Sequence, residues 1–87
     1  MILWDENKNL KLKLERNITF EQISEIILKE KFIDILEHKK KKNQKIFIIE
    51  LNEYIYAVPF VIDDKENIVL KTAYPSRKWN KIYRGQS

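Results

Sequence analysis

The chain has 87 residues, no cysteine, one histidine, one glycine and a formal net charge of +4. That length holds one domain around one core, and the absence of cysteine excludes disulfide staples and thiolate metal sites. A single histidine, His38, excludes a multi-histidine metal centre, and no apolar run approaches the ~20 residues that cross a bilayer.

Met1–Trp4 reads as a short edge strand or a staple over the core. Met1–Lys8 lacks a basic region followed by a long apolar run, so a cytoplasmic location is expected. Asp5 is placed to cap a first helix running to about Arg16, with Glu6 favourable in its first turn. Leu10 and Leu14 share a helical face while Leu12 points elsewhere; the three also alternate like a strand. Asn17 suits a left-handed helix end.

Thr19 opens a second helix, to about Glu30, through a capping box with Gln22, and Ile18 is placed to staple against Ile23. Phe20, Ile23, Ile26 and Ile27 form its apolar stripe, which reads as core. Lys31–Leu36 alternates as a strand with Ile33 and Ile35 on one side. His38 and Lys39–Lys42 follow as an exposed loop. Two apolar runs, Lys45–Leu51 and Tyr54–Ile62, flank Asn52-Glu53 and read as a hairpin whose turn lacks the usual glycine. Pro59 has no N–H for a ladder and marks an edge or a bulge. Asp63–Asn67 is a turn into a last strand, Ile68–Tyr74, stopped by Pro75, with a short helical turn after it. Helices followed by strands predict an α+β domain, with two N-terminal helices on one face of an antiparallel sheet of three to four strands.

Charge is distributed in blocks. Residues 1–38 carry −2, residues 39–45 carry +5, residues 46–66 carry −4 and residues 67–87 carry +5. Two basic islands on a mildly acidic body suit a localised anion-binding surface. The second island, Lys71, Arg77, Lys78, Lys81 and Arg84, is interleaved with Tyr74, Trp79 and Tyr83. Cations interleaved with aromatics suit single-stranded RNA, whose phosphates pair and whose bases stack. A solvated basic tail is the plainer alternative.

The opening W-D-E-N-K-N, the N-I-T-F-E that follows about one helix later, and the late S-R-K at Ser76–Lys78 together resemble the pattern of BrnT-type toxins. The similarity runs in order along nearly the whole chain and favours the helical reading of the leucines. It implies a RelE-like fold and a ribonuclease toxin that cuts RNA without a metal or other cofactor. It also implies a cognate antitoxin, a small DNA-binding protein, as partner. Many relatives read K-H-G where this chain has Glu15-Arg16-Asn17, and Tyr74-Pro75-Ser76 replaces a continuous I-S-A.

Metal-free RNA cleavage must deprotonate a 2′-hydroxyl, stabilise an anionic phosphorane and protonate the leaving 5′-oxygen. Arg77, Lys78 and Arg16 are the expected charge stabilisers, helped by Lys71. His38 is the expected acid–base group, with Glu15 or Tyr83 as substitutes. Trp79, Lys81, Tyr83 and Arg84 are the expected RNA contacts. Tyr54 and Tyr56 read as core or antitoxin contacts. The competing expectation is a non-catalytic nucleic-acid- or protein-binding module, motivated by Glu15-Arg16-Asn17.

Overall fold

A computed structural model describes residues 1–85. Helix α1 (Glu6–Arg16) starts at Asp5, whose side chain accepts the N–H groups of Asn7 and Lys8, and closes at Asn17 with φ 57°. Its inward positions are Asn9 and Leu12, whereas Leu10 and Leu14 are 60% and 76% exposed. The helix is therefore held by one leucine and one buried amide rather than by an apolar stripe.

Helix α2 (Phe20–Leu28) carries both halves of the Thr19–Gln22 capping box, and Phe20, Ile23 and Ile27 are buried with Ile18. It ends in paired bonds from Lys31 N–H to Ile26 O and Glu30 N–H to Ile27 O. In this helix stop the residue past the cap is left-handed, and Glu30 fills that position at φ 55° where glycine is usual. Leaving the stop occupies Lys31–Ile33, so the strand expected from Lys31 begins only at Asp34.

The strands are β1 (Ile2–Leu3), β2 (Asp34–Glu37), β3 (Gln44–Leu51), β4 (Tyr54–Ile62), β5 (Ile68–Leu70) and β6 (Tyr74–Pro75). They form one sheet in the order β1-β5-β4-β3-β2, with β6 also on β4. One face, including Phe47, Ile49, Tyr56, Val58 and Phe60, packs under α1 and α2. The other presents Ile48, Ile55 and Ala57 to helix α3 (Arg77–Arg84). The class is α+β, as expected.

The expected antiparallel sheet of three to four strands and two helices is revised in three respects. β1 pairs in parallel with β5, through Ile2↔Ile68 and Leu3↔Val69, so the sheet is mixed. The edge strand expected within Met1–Trp4 is present, but two residues carry no signal of which way they pair. The tail after Pro75 is a full third helix, capped by Ser76 and closed by Gly85 at φ 64°. The last strand, finally, is broken, and Pro75 lies inside its second half.

That break has a cause. β4 pairs with β5 through Phe60↔Leu70 and with β6 through Ala57↔Tyr74. Between these pairs β4 has two residues and the facing chain has three, so Thr72 and Ala73 together oppose Val58: a β-bulge. Lys71 N–H still reaches Pro59 O at 2.9 Å, and the N–H that would return that bond is the one proline lacks. The ladder opens where Pro59 cannot close it. The β3–β4 turn is tight, with Asn52 and Glu53 both left-handed at φ 53° and 62°. That is the type I′ geometry, achieved without glycine.

Candidate nucleic-acid interface

The bulge faces the C-terminal half of α1 and the lysine loop, and the three enclose a groove of about 440 Å³. On α1, Lys8, Lys11, Leu12 and Glu15 fall at i, i+3, i+4 and i+7, one helical face, and Arg16 adjoins them. The loop adds Lys41 and Gln44. Pro59, Lys71, Thr72, Ala73 and Tyr74 complete the lining. Five cations, Lys8, Lys11, Arg16, Lys41 and Lys71, thus converge around a single carboxylate, Glu15. Among the described residues the ion pairs are Lys29–Glu25 and Arg84–Glu50, so none of these five is neutralised by a salt bridge. Unpaired cations in a concave wall raise a positive potential that an anionic chain relieves.

Each wall is positioned by a polar device rather than by its charges. Asn9 is buried; its Oδ1 accepts Phe20 N–H at 2.7 Å and its Nδ2 donates to Glu21 Oε1 at 2.8 Å. This ties α1 to the start of α2, and the Asn9 hydrogen bond is the main reason that the Glu21 carboxyl sits below its usual range. His38 Nδ1 accepts the N–H groups of Lys40 and Lys41, both at 3.1 Å, and so shapes the lysine loop. His38 itself is not among the groove's lining residues. The third wall is the Pro59 bulge.

Of the residues expected to act, Arg16 and Lys71 meet in the groove, and Glu15, expected as a substitute base, lies with them. Arg77 is elsewhere. It lines a separate open hollow of about 480 Å³ with Tyr54, Tyr56 and Pro75. Lys78 lies 5.4 Å from the Trp79 ring centroid, on α3.

The remaining expected RNA contacts on α3 are largely engaged in holding that helix. Trp79 packs against the Ile48, Ile55 and Ala57 cluster and stacks on Tyr83 at 5.4 Å. The Tyr83 hydroxyl donates to Asp34 Oδ2 at 3.1 Å, and Arg84 pairs with Glu50. Asn80 Oδ1 accepts Ile55 N–H at 3.1 Å. Desolvation first, and the Asp34 contact second, raise the Tyr83 phenol above its ordinary pKa. Lys81 is exposed on the same helix.

The sequence pattern marks Tyr74 as an aromatic of the basic island but gives it no role at the site, and it leaves out Lys8 and Lys11. The signal for the two lysines was available: with Leu12 inward, Lys8, Lys11 and Glu15 must flank it. Among the described residues no three His, Cys, Asp or Glu side chains are grouped to hold a metal ion, and no helix is long and apolar enough to cross a membrane. No protein-family model, curated protein or solved structure matches the chain.

Proposed function

We propose that the groove binds single-stranded RNA by its phosphates and that the protein is a cytoplasmic, BrnT-like endoribonuclease toxin. The observation that carries this reading is the convergence of five unpaired cations on one carboxylate. Two helices ahead of a β2-β3-β4-β5 meander support the RelE-like arrangement that the toxin resemblance implies. In this reading Arg16 and Lys71 hold the scissile phosphate, with Lys8, Lys11 and Lys41 on its neighbours. The Glu15 carboxylate takes the 2′-hydroxyl proton as the 2′-oxygen bonds to phosphorus. The bond from phosphorus to the 5′-oxygen breaks, and the Tyr74 phenol gives that oxygen a proton. The products are a 2′,3′-cyclic phosphate and a free 5′-hydroxyl. A cognate antitoxin, a small DNA-binding protein, neutralises the toxin by covering the groove.

Expression in a bacterium without the antitoxin arrests growth, and purified protein cuts RNA in the presence of a chelator. Glu15→Gln lowers the cleavage rate by about 10²–10⁴-fold, the ordinary worth of a general base. Undiminished growth together with intact RNA would sink the toxin reading.

One observation favours a second reading, a binding module without catalysis. His38, the side chain best suited to proton transfer near neutrality, spends Nδ1 on the lysine loop and does not line the groove. That reading predicts salt-dependent RNA binding with no turnover at any protein concentration.

A further inference from the structure

We infer that the hollow formed by Tyr54, Tyr56, Pro75 and Arg77 is a base-binding subsite, taking one nucleobase of the single strand whose phosphates lie in the groove. The inference rests on the RNA reading of that groove and adds to it a second, sequence-selective contact.

The two sites are consecutive along β6: Tyr74 lines the groove and Pro75, the next residue, lines the hollow. An extended strand leaving the groove over this two-residue ridge would meet the hollow next. The hollow's chemistry suits a base rather than another phosphate. Tyr54 and Tyr56 share one face of β4, with ring centroids 6.1 Å apart and planes at 70°. One ring therefore offers its flat side where the other offers its edge, and Pro75 adds a third apolar wall. The half-buried Tyr54 ring is the surface on which a base would stack, with the buried Tyr56 ring set against it edge to face.

The polar groups are aimed for recognition. The Tyr56 side chain is 9% exposed, and its hydroxyl has no hydrogen-bond partner among the described residues. Among the described residues no buried side-chain polar atom is left unpaired, so this hydroxyl keeps contact with solvent, and Tyr56 lines the hollow. It is placed to donate to, or accept from, the edge of a stacked base. Arg77 makes no ion pair or hydrogen bond among the described residues. Its guanidinium can hold the phosphate that joins the stacked nucleotide to the next one in the groove.

The test is binding of a short, end-labelled single-stranded RNA, followed by fluorescence anisotropy over a range of salt concentrations. Tyr54→Leu is expected to weaken binding about 5- to 100-fold, the range for loss of one stacked base, with an unchanged salt slope. Tyr54→Phe, which keeps the ring, binds within about twofold of the parent. Arg77→Gln instead lowers the slope of log K against log salt by about 0.7, one phosphate contact. Removing one base at a time from the RNA weakens binding to the parent protein at one position, and Tyr54→Leu no longer senses that position.

If Tyr54→Leu binds RNA as the parent does while Lys71→Gln binds more weakly, the subsite is overturned and the groove stands. That pattern would leave the hollow to a protein partner. If the parent does not bind RNA at all, both are overturned. Should Tyr54→Leu fail to fold, the Arg77→Gln slope and the base-removal series on the parent decide the matter alone.

Discussion

Asn9→Ala tests how the groove is held open, because Asn9 is the sole buried polar side chain among the described residues and joins the two N-terminal helices. Phe20 is the first residue of α2, so its N–H has no acceptor within the helix. Thr19 serves Gln22 N–H instead. Asn9 Oδ1 supplies the missing acceptor at 2.7 Å, in a bond buried from solvent. Truncation leaves that donor unpaired at a cost of about 1–3 kcal/mol. For a domain of this size ~2 kcal/mol lowers Tm by roughly 8–16 °C. Urea unfolding followed by far-UV circular dichroism measures the loss, and amide exchange at Phe20 localises it. The pH dependence of stability gives a second readout. The Glu21 carboxyl, depressed chiefly by Asn9, adds stability that is present above its unfolded pKa and fades as pH falls through the lower folded value. Asn9→Ala should flatten that acid limb. Asn9→Asp keeps the acceptor but opposes Glu21 and Glu6 with a third carboxylate, so its deficit should shrink as pH falls and Glu21 protonates. An Asn9→Ala protein within about 0.5 kcal/mol of the parent, with Phe20 still protected, would refute the pinning argument.

Three further outcomes are expected. Glu30→Gly and Glu53→Gly each raise stability by about 0.5–1 kcal/mol, since a left-handed residue with a Cβ costs roughly 1–2 kcal/mol and glycine returns part of that as unfolded-state entropy; a fall in Tm for both would contradict the turn geometry. Lys71→Gln and Lys11→Gln each reduce the salt slope of single-stranded RNA binding by about 0.7, and unchanged slopes would remove them from the phosphate track. Tyr83 has a raised folded pKa, so its contribution is complete below the unfolded pKa and is lost as pH rises through the folded value. Alkali should therefore loosen α3 before the sheet melts, seen as an early change in Trp79 fluorescence that Tyr83→Phe abolishes.

The local rules wrote themselves clearly into the sequence where one residue decides the outcome. Asp5, Asn17 and the Thr19–Gln22 box set helix ends through their own side chains, and each can be read without knowing the fold. The long strands β3 and β4 were equally plain from their β-branched runs. What stayed hidden depended on distant partners. The edge strand at Ile2–Leu3 was legible, but its parallel pairing with β5 was not. Leu12 rather than Leu10 or Leu14 shares the buried face with Asn9, which is bonded to the start of α2, and an asparagine inside a helix gives no warning of that. Tyr83 and Arg84 looked like RNA contacts because cations and aromatics alternate there; Asp34 and Glu50, which engage them, are more than thirty residues away in sequence. The basic tail was visible as charge, but the half of it that packs and the half that stays available could be separated only by the sheet's second face.

The groove itself illustrates how a missing group can shape a site. Five like charges repel one another, so nothing in Lys8, Lys11, Arg16, Lys41 and Lys71 draws them together. They line one groove because other residues set the backbone beneath them. Asn9 fixes the angle of α1, and His38 folds the lysine loop over its Nδ1. Pro59 withholds one N–H from a central ladder, and Thr72 and Ala73 bulge together opposite Val58, just past the last ladder bond at Lys71. An unbroken strand through Lys71–Ala73 would carry its side chains alternately to the two faces, leaving no concave wall between β4 and α1. In the proposed mechanism Glu15 has a second effect, because among the described residues it is the one negative group in the lining. Replacing it by glutamine would tighten RNA binding while slowing cleavage, a split that a purely structural role for Glu15 does not produce.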